Sequence, residues 1–494
     1  MLYTKSTELT GIKDSALSRN QVKLVANLQS CTVQVIPLAV NPSGVNGFSL
    51  KRHTEYTLHH KDRLELLLDQ YVYEIIFDPA PKLTENQSKR ICTDAETKEP
   101  INKQQKCDKK LEKCVSGWEE IDNKKLFIFT AEGVTPSPKI AGFDLDGTII
   151  LTKSGARFPK DAEDWRFAFA EVRGKLKSLH DDNYKVVIFT NQAGIGLGKL
   201  KLSEFKVKVE KILSALDIPV QVFVSTGKGV YRKPAPGMWD SLCKEKNGNV
   251  SVNVSESFYC GDAAGRDKNW APKMKKDHSI GDRLFALNLG IKFQTPEEYF
   301  LGARKVTFTM PVFDPTDIQH QGLLIPESSS ITSDKQEVIV FVGSPGSGKS
   351  HVCKTLLVPE GYVHVNRDQL GSWQKCVTAM ETAMVNKQSV AIDNTNPDKE
   401  SRKRYIDVAS KHGVPCRCFV MTTSIQHAKH NNIFREIIDK NHQAINEIII
   451  NSYKNKLTEP QAEEGFEAIV KVNCLPKFDN PEHDRLYHMY LLEK

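Results

Sequence analysis

The sequence predicts a multidomain chain in which an N-terminal β-sandwich precedes two α/β domains. Up to residue 80, apolar and polar side chains alternate with a period of two, which is typical of strands with one buried face. Between residues 139 and 300, strand and helix patterns alternate, as they do in a parallel sheet covered by helices. An apolar strand at residues 337–342 opens a second α/β pattern that runs to the C-terminus.

The length and composition are those of a globular protein with several domains. A chain of 494 residues corresponds to roughly two to four domains. Hydrophobic residues make up 39% and charged residues 26%, which excludes a fibrous or wholly disordered chain. No run of about 18 apolar residues occurs, so we expect no transmembrane helix and no membrane partner. The net charge of +7 is compatible with a polyanionic partner.

The cysteines and the first residues indicate a reducing compartment. Eleven cysteines occur without a single CxxC pair, so we expect buried free thiols rather than zinc ligands or disulfides. Cys416 and Cys418 alternate within an apolar run, as residues on one face of a strand do. The opening residues 1–5 contain no hydrophobic signal core, so we expect no secretion.

Changes in composition divide the chain into five segments. We expect the β-sandwich at residues 1–80, a polar linker at 81–125, the first α/β domain at 126–315, a Pro/Ser-rich connector at 316–334 and the second α/β domain at 335–494. In the first α/β domain we expect helices at residues 165–180 and 203–216. Its strands are expected at residues 140–150, 185–190, 220–225, 258–261 and 284–288.

The motif DLDGT at residues 144–148 ends an apolar strand and places carboxylates at positions i and i+2. One carboxylate there can attack phosphorus and the other can protonate the leaving oxygen. Two carboxylates can also hold Mg²⁺, which draws in a phosphate. A single aspartate could be a turn residue, but the complete motif is much more specific. The sequence therefore predicts that the first α/β domain breaks a phosphate ester.

Four motifs in order make this domain similar to the haloacid-dehalogenase (HAD) phosphatase superfamily. They are DLDGT, FTNQ at residues 189–192, YRKP at 231–234 and GDAAGR at 261–266. The resemblance implies Asp144 as nucleophile, Asp146 as general acid/base, Thr190 and Lys233 at the phosphoryl oxygens, and Asp144, Asp146 and Asp262 at Mg²⁺. The gaps between the first three motifs leave little room for a cap domain. We therefore expect an open site, which suits the end of a polymer.

Plainer explanations exist for these residues taken singly. Thr190 could be a strand-end hydroxyl and Lys233 a surface lysine. It is the four motifs in register that favour a site. Asp282 is the next candidate for the metal site if Asp262 is not a ligand.

The motif GSPGSGKS at residues 343–350 lies between an apolar strand and a helix, the context that a P-loop requires. Glycines let backbone N–H groups curl around the β-phosphate, and a lysine can reach the β- and γ-oxygens. The pattern predicts a nucleotide site, with Ser350 as a Mg²⁺ ligand. Its residues are Gly343, Ser344, Pro345, Gly346, Ser347, Gly348, Lys349 and Ser350.

Other acids in the second α/β domain favour a kinase. Asp368 follows the strand pattern at residues 363–365, where it could take a proton from an attacking hydroxyl; the alternative is a helix N-cap. Asp393 ends another strand, as a Mg²⁺-binding Walker-B aspartate would. Residues 430–436 are predicted to lie on a late helix that could carry a lid arginine for the transferring phosphate.

With both chemistries present, the chain resembles the polynucleotide kinase/3′-phosphatase family. The resemblance rests on IFTNQ at residues 188–192, GDAAGR at 261–266, DRLFALNLG at 282–290, GYVHVNRD at 361–368 and AIDNTNPD at 391–398. It implies Mg²⁺-dependent removal of 3′-phosphate from DNA ends through an aspartyl-phosphate. It also implies phosphorylation of 5′-hydroxyl ends with ATP, so that a ligase can seal the break. The two activities on opposite ends of a break avoid a futile cycle.

The resemblance extends to residues that contact substrate in the kinase domain. It implies DNA contacts at Arg367, Trp373, Lys375, Arg404 and Lys454, each of which could instead belong to an ordinary solvated face. The family often has an arginine where Ile433 stands here. The lid role is therefore assigned to Arg435.

The first segment resembles the forkhead-associated (FHA) module of the same family, on LSRNQVKL at residues 17–24 and VNPS at 40–43. The resemblance implies that Ser18, Arg19 and Asn41 bind phosphothreonine motifs on phosphorylated repair scaffold proteins, for which an arginine fork is well suited. The strand ending in Gly-Arg that family members carry is not found here, so the module is expected to be incomplete at its N-terminus. The alternative is a purely structural sandwich.

The family implies a monomer that acts in the nucleus, with mitochondria as a second compartment. An RNA end-healing enzyme with the same two activities is the main alternative, because the sequence does not separate the sugar types. The alternative of a scaffold with inactive catalytic domains is disfavoured, because the DLDGT and P-loop motifs are intact. A metabolic phosphatase fused to a small-molecule kinase conflicts with the missing space for a cap.

Overall fold

The computed structural model divides the chain into two compact units. The first comprises Met1–Arg232 and Pro236–Thr309, and the second comprises Lys233–Ala235 and Met310–Lys494. The residues that the structure describes are 2–5, 20–27, 32–39, 41, 43–45, 48–58, 62–67, 70–77, 116–318, 322–439, 442 and 444–493.

The N-terminal part of the first unit forms two antiparallel four-stranded sheets, as predicted for a β-sandwich. Their strand orders are β1-β2-β3-β6 and β5-β4-β7-β8. The strands are Leu2–Lys5, Asn20–Asn27, Thr32–Pro37, Gly44–Val45, Phe48–Ser49, Tyr56–Leu58, Arg63–Leu67 and Gln70–Glu74. Alternation holds in β3, where Val35 and Pro37 lie next to more exposed neighbours, and the core includes Val22, Leu58 and Leu64.

The rest of the first unit is an α/β domain whose main sheet contains seven strands: β9 (Gly117–Ile121), β10 (Leu126–Thr130), β11 (Ile140–Phe143), β14 (Lys185–Asn191), β15 (Gln221–Ser225), β16 (Phe258–Cys260) and β17 (Lys292–Gln294). A separate small sheet contains β12 (Ile150–Leu151) and β13 (Arg166–Phe167). The strand order in the main sheet is β17-β16-β11-β14-β15-β10-β9. The five strands from β17 to β15 are parallel, and β10 and β9 join antiparallel at one edge. The α-helices are Val172–Asp181, Ala193–Gly196, Leu202–Leu216, Gly237–Glu245, Gly281–Leu289 and Pro296–Leu301.

Two sequence-based expectations for this domain are wrong, one domain boundary and one strand. The linker was expected to reach residue 125, but Gly117–Ile121 already pairs with Leu126–Thr130 as the edge strand of the sheet. The expected strand at residues 284–288 is part of the helix Gly281–Leu289, which ends at Gly290 in the left-handed conformation. A short apolar run has no periodicity that separates a buried helix from a strand. The strand instead follows the glycine, at Lys292–Gln294.

The predicted absence of a large cap is confirmed. Residues 144–262 are all described, and between the first two motifs they add only the two-stranded sheet of Ile150–Leu151 and Arg166–Phe167 to the helix that the core needs. The expected helix at 165–180 is shorter, because residues 166–167 pair in this small sheet and the helix begins at Val172. The carboxyl end of the central strands is therefore not covered by an inserted domain.

The second unit is a six-stranded α/β domain of order β18-β23-β22-β19-β21-β20. Its strands are Leu324–Ile325, Val338–Val342, Val363–Val365, Val390–Ile392, Cys416–Met421 and Ala468–Val472. Its α-helices are Lys349–Val352, Arg367–Leu370, Trp373–Val385, Lys399–Lys411, Ile425–Ile438, Glu447–Lys456 and Pro481–Tyr487. The connector expected at 316–334 is not a simple linker, because Leu324–Ile325 pairs antiparallel with Ala468–Val472.

The cysteines of the described residues are free thiols, and six of these seven are buried. Cys416 and Cys418 share a buried face of their strand, as predicted. Among the helices of the described part, none has the length and apolar character needed to cross a bilayer.

Candidate active sites

Three carboxylates meet at the carboxyl end of the parallel sheet in the first unit. Asp144 follows the strand Ile140–Phe143, Asp262 follows Phe258–Cys260, and Asp282 lies in the first turn of the helix Gly281–Leu289. Each offers an oxygen, and these oxygens lie within 4.8 Å of one another. Oxygen donors packed this closely repel each other unless a cation lies between them, and hard divalent cations prefer such donors. The cluster is suited to hold a divalent metal ion.

Two motif glycines make room for this cluster. Gly147 has φ +87°, and a Cβ there would lie 2.4 Å from the Asp262 carboxylate. A Cβ on Gly261 would lie 2.5 Å from the Asp282 carboxyl carbon. The glycines of DLDGT and GDAAGR are therefore required because the neighbouring carboxylates take the space of a side chain.

The Asp282 carboxylate is held by two hydrogen bonds. The Ala263 N–H donates to Oδ2 at 3.0 Å, and the Tyr259 hydroxyl lies 3.2 Å from Oδ1. Burial, with the negative charges of Asp282 and Asp144 nearby, raises the pKa of Tyr259 well above its ordinary value. Tyr259 therefore stays a neutral hydrogen-bond donor. The sequence named Asp282 only as a substitute for Asp262, whereas the structure brings both into one cluster.

The Asp146 carboxylate does not join the cluster, contrary to the metal site that was expected. Its Oδ1 lies 3.2 Å from the Lys208 ammonium, and its Oδ2 accepts a hydrogen bond from Gln192 Nε2 at 2.7 Å. The side chain of Asp146 is 48% exposed. The chain turns directly after the strand, so the two aspartates of the motif point to different surroundings.

The remaining predicted phosphatase residues are buried. Thr190 is buried within the strand Lys185–Asn191, and its hydroxyl accepts a hydrogen bond from Gln192 Nε2 at 2.9 Å. Lys233 is buried and precedes a cis peptide bond to Pro234. Both side chains are much less exposed than those of ordinary surface residues.

The P-loop of the second unit surrounds a buried lysine. Lys349 Nζ donates to the carbonyl oxygens of Ser344 at 2.8 Å and Gly343 at 3.0 Å. Burial lowers its pKa to about 8, while the nearby carboxylates of Asp393 and Asp368 oppose the shift. The P-loop carbonyls therefore hold the Lys349 ammonium within the loop, where a P-loop lysine binds phosphate oxygens.

Asp393 is held rigidly beside this lysine. Its Oδ2 accepts hydrogen bonds from His364 Nε2 at 2.9 Å and Asn366 Nδ2 at 3.0 Å. Its Oδ1 is buried without a hydrogen-bond partner among the described residues. A carboxylate with one oxygen fixed and the other unsatisfied fits a metal ion or its water. Ser350, the other metal residue predicted here, is exposed at the start of the following helix.

Asp368 is exposed in the short helix Arg367–Leu370, and the alternative of a helix N-cap is wrong. The cap is Asn366, whose side-chain oxygen accepts the Asp368 N–H at 2.8 Å. The Asp368 carboxylate is thus not needed by the helix, which leaves it available for proton transfer.

Comparison with known proteins identifies the family. The family model described as polynucleotide kinase 3 phosphatase matches residues 139–300, the FHA domain model matches residues 6–52, and the AAA domain model matches residues 369–460. The bifunctional polynucleotide phosphatase/kinase of Schizosaccharomyces pombe is 40% identical over 362 residues, covering 72% of this chain and 85% of the relative. The chain belongs to the bifunctional polynucleotide phosphatase/kinase family.

Two relatives that are named as 3′-phosphatases match about a third of this phosphatase/kinase. The polynucleotide 3′-phosphatase ZDP of Arabidopsis thaliana is 38% identical over 190 residues, covering 36% of this chain and 26% of the relative. The polynucleotide 3′-phosphatase of Saccharomyces cerevisiae is 28% identical over 216 residues, covering 33% of this chain and 87% of the relative.

The residues predicted to contact DNA in the kinase unit lie on its surface. Trp373 is 38% exposed, and the Arg404 guanidinium carbon lies 4.6 Å from the centroid of its ring. Arg367, Lys375 and Lys454 are exposed. The structure thus brings Trp373 and Arg404 into contact. The predicted lid residue Arg435 is exposed near the end of the helix Ile425–Ile438.

In the FHA module, the structure reaches only one of the predicted phosphopeptide residues. Ser18 and Arg19 lie outside the described residues. Asn41 is described, and its backbone carbonyl accepts a hydrogen bond from Gln21 Nε2 at 2.7 Å. Gln21 also donates to the Ser43 hydroxyl at 3.2 Å, so these contacts hold Asn41 and Ser43 next to the strand Asn20–Asn27.

Several residues of the two sites were missed by sequence analysis, namely Lys208, His364, Asn366, Asn431 and Tyr487. Lys208 carried a usable signal, because residues 205, 208, 209 and 212 form a buried helical stripe in which it is the charged member. Asn431 donates to the carbonyl oxygen of Gly346 in the P-loop at 2.8 Å. No spacing in the sequence links these two positions.

Proposed function

We propose that this phosphatase/kinase prepares broken DNA strands for ligation. It removes 3′-phosphate groups in a Mg²⁺-dependent reaction and phosphorylates 5′-hydroxyl groups with ATP. One observation carries the proposal: the same chain contains a carboxylate cluster suited to removing a phosphate and a P-loop lysine suited to transferring one from a nucleotide. DNA is favoured over RNA because the FHA module is a feature of strand-break repair in the family that the sequence resembles.

The 3′-phosphatase reaction uses the carboxylates of the first unit. Asp144 attacks phosphorus, the bond from phosphorus to the 3′-oxygen breaks, and Asp146 gives a proton to that oxygen. The aspartyl-phosphate and a free 3′-hydroxyl result. Water then attacks the phosphorus and Asp146 accepts its proton. The bond from phosphorus to the Asp144 oxygen breaks, so inorganic phosphate leaves and the Asp144 carboxylate is restored. Mg²⁺ held by Asp144, Asp262 and Asp282 would neutralise the charge of the incoming phosphate.

Thr190 and Lys233 would bind the phosphoryl oxygens during this reaction. A hydroxyl and an ammonium group supply the donors that three phosphoryl oxygens need as charge develops on them. Both side chains are buried, which strengthens such contacts because little water competes for them.

The 5′-kinase reaction uses the second unit. Residues 343–350 would cradle the phosphates of ATP, with Lys349 at the β- and γ-oxygens and Ser350 and Asp393 at Mg²⁺. Asp368 takes the proton from the 5′-hydroxyl, whose oxygen attacks the γ-phosphorus, and ADP leaves. Arg435 supplies positive charge to the transferring phosphoryl group from the helix Ile425–Ile438.

A single substrate tests both activities. A nicked duplex with 3′-phosphate and 5′-hydroxyl is incubated with the pure protein, with and without ATP, and a ligase is then added. We expect 3′-phosphate release in both cases and sealing only with ATP. Asp144→Asn should abolish 3′-phosphate release and leave 5′ labelling near normal, while Lys349→Ala should do the reverse. Loss of both activities in either folded variant would refute the division of labour.

A competition assay decides between DNA and RNA. Equal amounts of DNA and RNA oligonucleotides with 5′-hydroxyl ends are offered to the protein with limiting ATP. We expect labelling of the DNA to dominate. Preferential labelling of RNA would favour the RNA end-healing enzyme instead.

We further propose that the FHA module binds phosphothreonine on repair scaffold proteins and that the protein acts in the nucleus, and also in mitochondria. The match of the FHA domain model to residues 6–52 supports the first proposal. Calorimetry with an acidic peptide, phosphorylated or not, tests it: Arg19→Ala should weaken binding by about 1.5–3 kcal/mol, as for a hydrogen bond to a charged group. Equal binding of both peptides by the wild type would leave only a structural module. Cell fractionation tests the compartments.

A further inference from the structure

Lys208 is a buried cation that faces the second aspartate of the phosphatase motif. It lies on the helix Leu202–Leu216, where it shares the buried face with Phe205, Val209 and Ile212. Its Nζ is 3.2 Å from Asp146 Oδ1, and its side chain is only 5% exposed. An ammonium group in such a place is costly unless a negative charge compensates it. A leucine would serve packing better, so the lysine indicates a role for its charge.

The partner carboxylate is held from both sides. The Lys208 ammonium donates to Asp146 Oδ1 at 3.2 Å, and Gln192 Nε2 donates to Oδ2 at 2.7 Å. The same Gln192 amide donates to the Thr190 hydroxyl at 2.9 Å, which links the orientation of Asp146 to the strand Lys185–Asn191. The carboxylate is therefore fixed in one rotation although its side chain is 48% exposed.

This orientation separates two aspartates that are only two residues apart. Asp144 belongs to the carboxylate cluster with Asp262 and Asp282, whereas Asp146 does not. A free Asp146 could turn towards any cation held by that cluster, because metal ions attract every nearby carboxylate. The Lys208 ammonium, which the helix Leu202–Leu216 holds 3.2 Å from Asp146 Oδ1, competes for this carboxylate.

We propose that Lys208, assisted by Gln192, is a positioning residue that keeps Asp146 out of the metal cluster and aimed at the leaving oxygen. The inference rests on the phosphatase activity proposed above. When Asp146 gives its proton to the 3′-oxygen, the bond from phosphorus to that oxygen breaks. The contacts of Asp146 with Lys208 and Gln192 keep its carboxylate in the same orientation for the second step, in which it accepts a proton from the attacking water.

The proposal predicts a dependence on the leaving group. DNA with a 3′-phosphate loses an alkoxide and needs a proton, whereas 2,4-dinitrophenyl phosphate loses a stable phenolate and does not. The test compares wild type and Lys208→Met under single-turnover conditions with enzyme in excess, so that only cleavage of the first bond is seen. We expect the rate on DNA to fall at least ~10²-fold and the rate on the aryl ester less than ~3-fold.

Matched variants separate positioning from folding. Lys211→Met, on the same helix, removes an exposed lysine that pairs with Glu163 and should leave both rates unchanged. Gln192→Met removes the other donor and should show the same selective loss on DNA, even if Lys208→Met proves unstable. The kinase rate of each variant reports the integrity of the second unit.

Two results would overturn the proposal. One is an equal loss on both substrates in Lys208→Met and Gln192→Met, which would mean a general defect of the site. The other is a wild-type rate on DNA in both variants. The proposed phosphatase function is judged separately by the wild-type protein: if it cleaves the aryl ester but releases no phosphate from DNA, that function fails, whatever the variants do.

Discussion

The Tyr487 hydroxyl donates a hydrogen bond to the Asn431 side-chain oxygen at 2.5 Å, and the Asn431 amide donates to the Gly346 carbonyl at 2.8 Å. The C-terminal helix Pro481–Tyr487 is thereby connected to the P-loop through a single side chain. A tyrosine hydroxyl has only one hydrogen, so the His427 Nε2 found 2.8 Å from it must be the donor to that oxygen. His427 is therefore the Nε2-protonated neutral tautomer.

This connection predicts that Tyr487→Phe impairs the kinase. The substitution leaves the buried Asn431 oxygen and the His427 N–H without their partner, which costs roughly 1–3 kcal/mol for each unsatisfied group. We expect a lower melting temperature of the kinase unit and a several-fold higher KM for ATP. The phosphatase rate of the same sample is the control and should not change. Unchanged ATP kinetics with a lower melting temperature would show that the contact serves stability only.

The metal cluster predicts a graded response to substitution. EDTA should abolish phosphatase activity, and Asp262→Ala should raise the Mg²⁺ concentration needed for half-maximal rate or eliminate turnover. Asp282→Asn should do the same while keeping the Ala263 N–H contact, because the amide oxygen can replace Oδ2. The measurement is a Mg²⁺ titration of 3′-phosphate release. A variant that works normally at low Mg²⁺ would remove that residue from the cluster's function.

The sequence predicted the architecture because each α/β domain carries long, strongly periodic elements. The helix expected at 203–216 is observed at Leu202–Leu216, and the strand expected at 185–190 is observed at Lys185–Asn191. Short apolar runs were ambiguous, and residues 284–288 became a helix because Gly290 adopts the left-handed conformation that ends one. The edge strand Gly117–Ile121 was missed because two of its five residues are glutamates that face solvent.

The site was predictable where chemistry and spacing coincide within one motif. DLDGT and the P-loop fix their functional atoms within a few residues of chain. The contacts that hold the Asp146 carboxylate could not be derived this way. Lys208 lies 62 residues further along the chain, and Gln192 lies 46 residues further along. The same holds for Tyr487 and Asn431, which are 56 residues apart. Such contacts depend on how helices pack on the sheet, which no local pattern encodes.

The Trp373–Arg404 pair predicts a contribution to binding of single-stranded DNA ends. Stacking of a base on an aromatic ring is worth about 1–3 kcal/mol, and the guanidinium beside the ring adds charge for the backbone. Trp373→Ala should raise the KM for a 5′-hydroxyl oligonucleotide at least about 5-fold, by the lower end of that range. The KM for ATP should stay the same. Lys403→Ala, an exposed neighbour paired with Asp407, is the control. If Trp373→Ala and Lys403→Ala raise the KM for the oligonucleotide equally, the effect comes from a nonspecific change of the surface and not from stacking on Trp373.

Two buried histidines predict that the second unit loses stability in mild acid. Burial lowers the pKa of His427 to about 4 and that of His430 to about 3, from an ordinary value of 6.5. Both are neutral in the folded protein at neutral pH. Below pH 6.5 the unfolded chain binds protons that the folded chain does not, so the free energy of unfolding falls as the pH is lowered towards 4. Each histidine contributes at most about 1.4 kcal/mol per pH unit.

Urea unfolding of the intact protein at several pH values between 7.5 and 5 measures this dependence. The signal must report the second unit, for which loss of kinase activity in the same samples is suitable. His430→Gln keeps an amide N–H that can reach the Tyr487 carbonyl, the partner of His430 Nε2 at 2.8 Å, but it cannot titrate. Its unfolding free energy should therefore fall less steeply with acid than that of the wild type. Parallel curves for the two proteins would show that His430 is not a source of the acid sensitivity, and the same comparison with His427→Gln would then test the other ring.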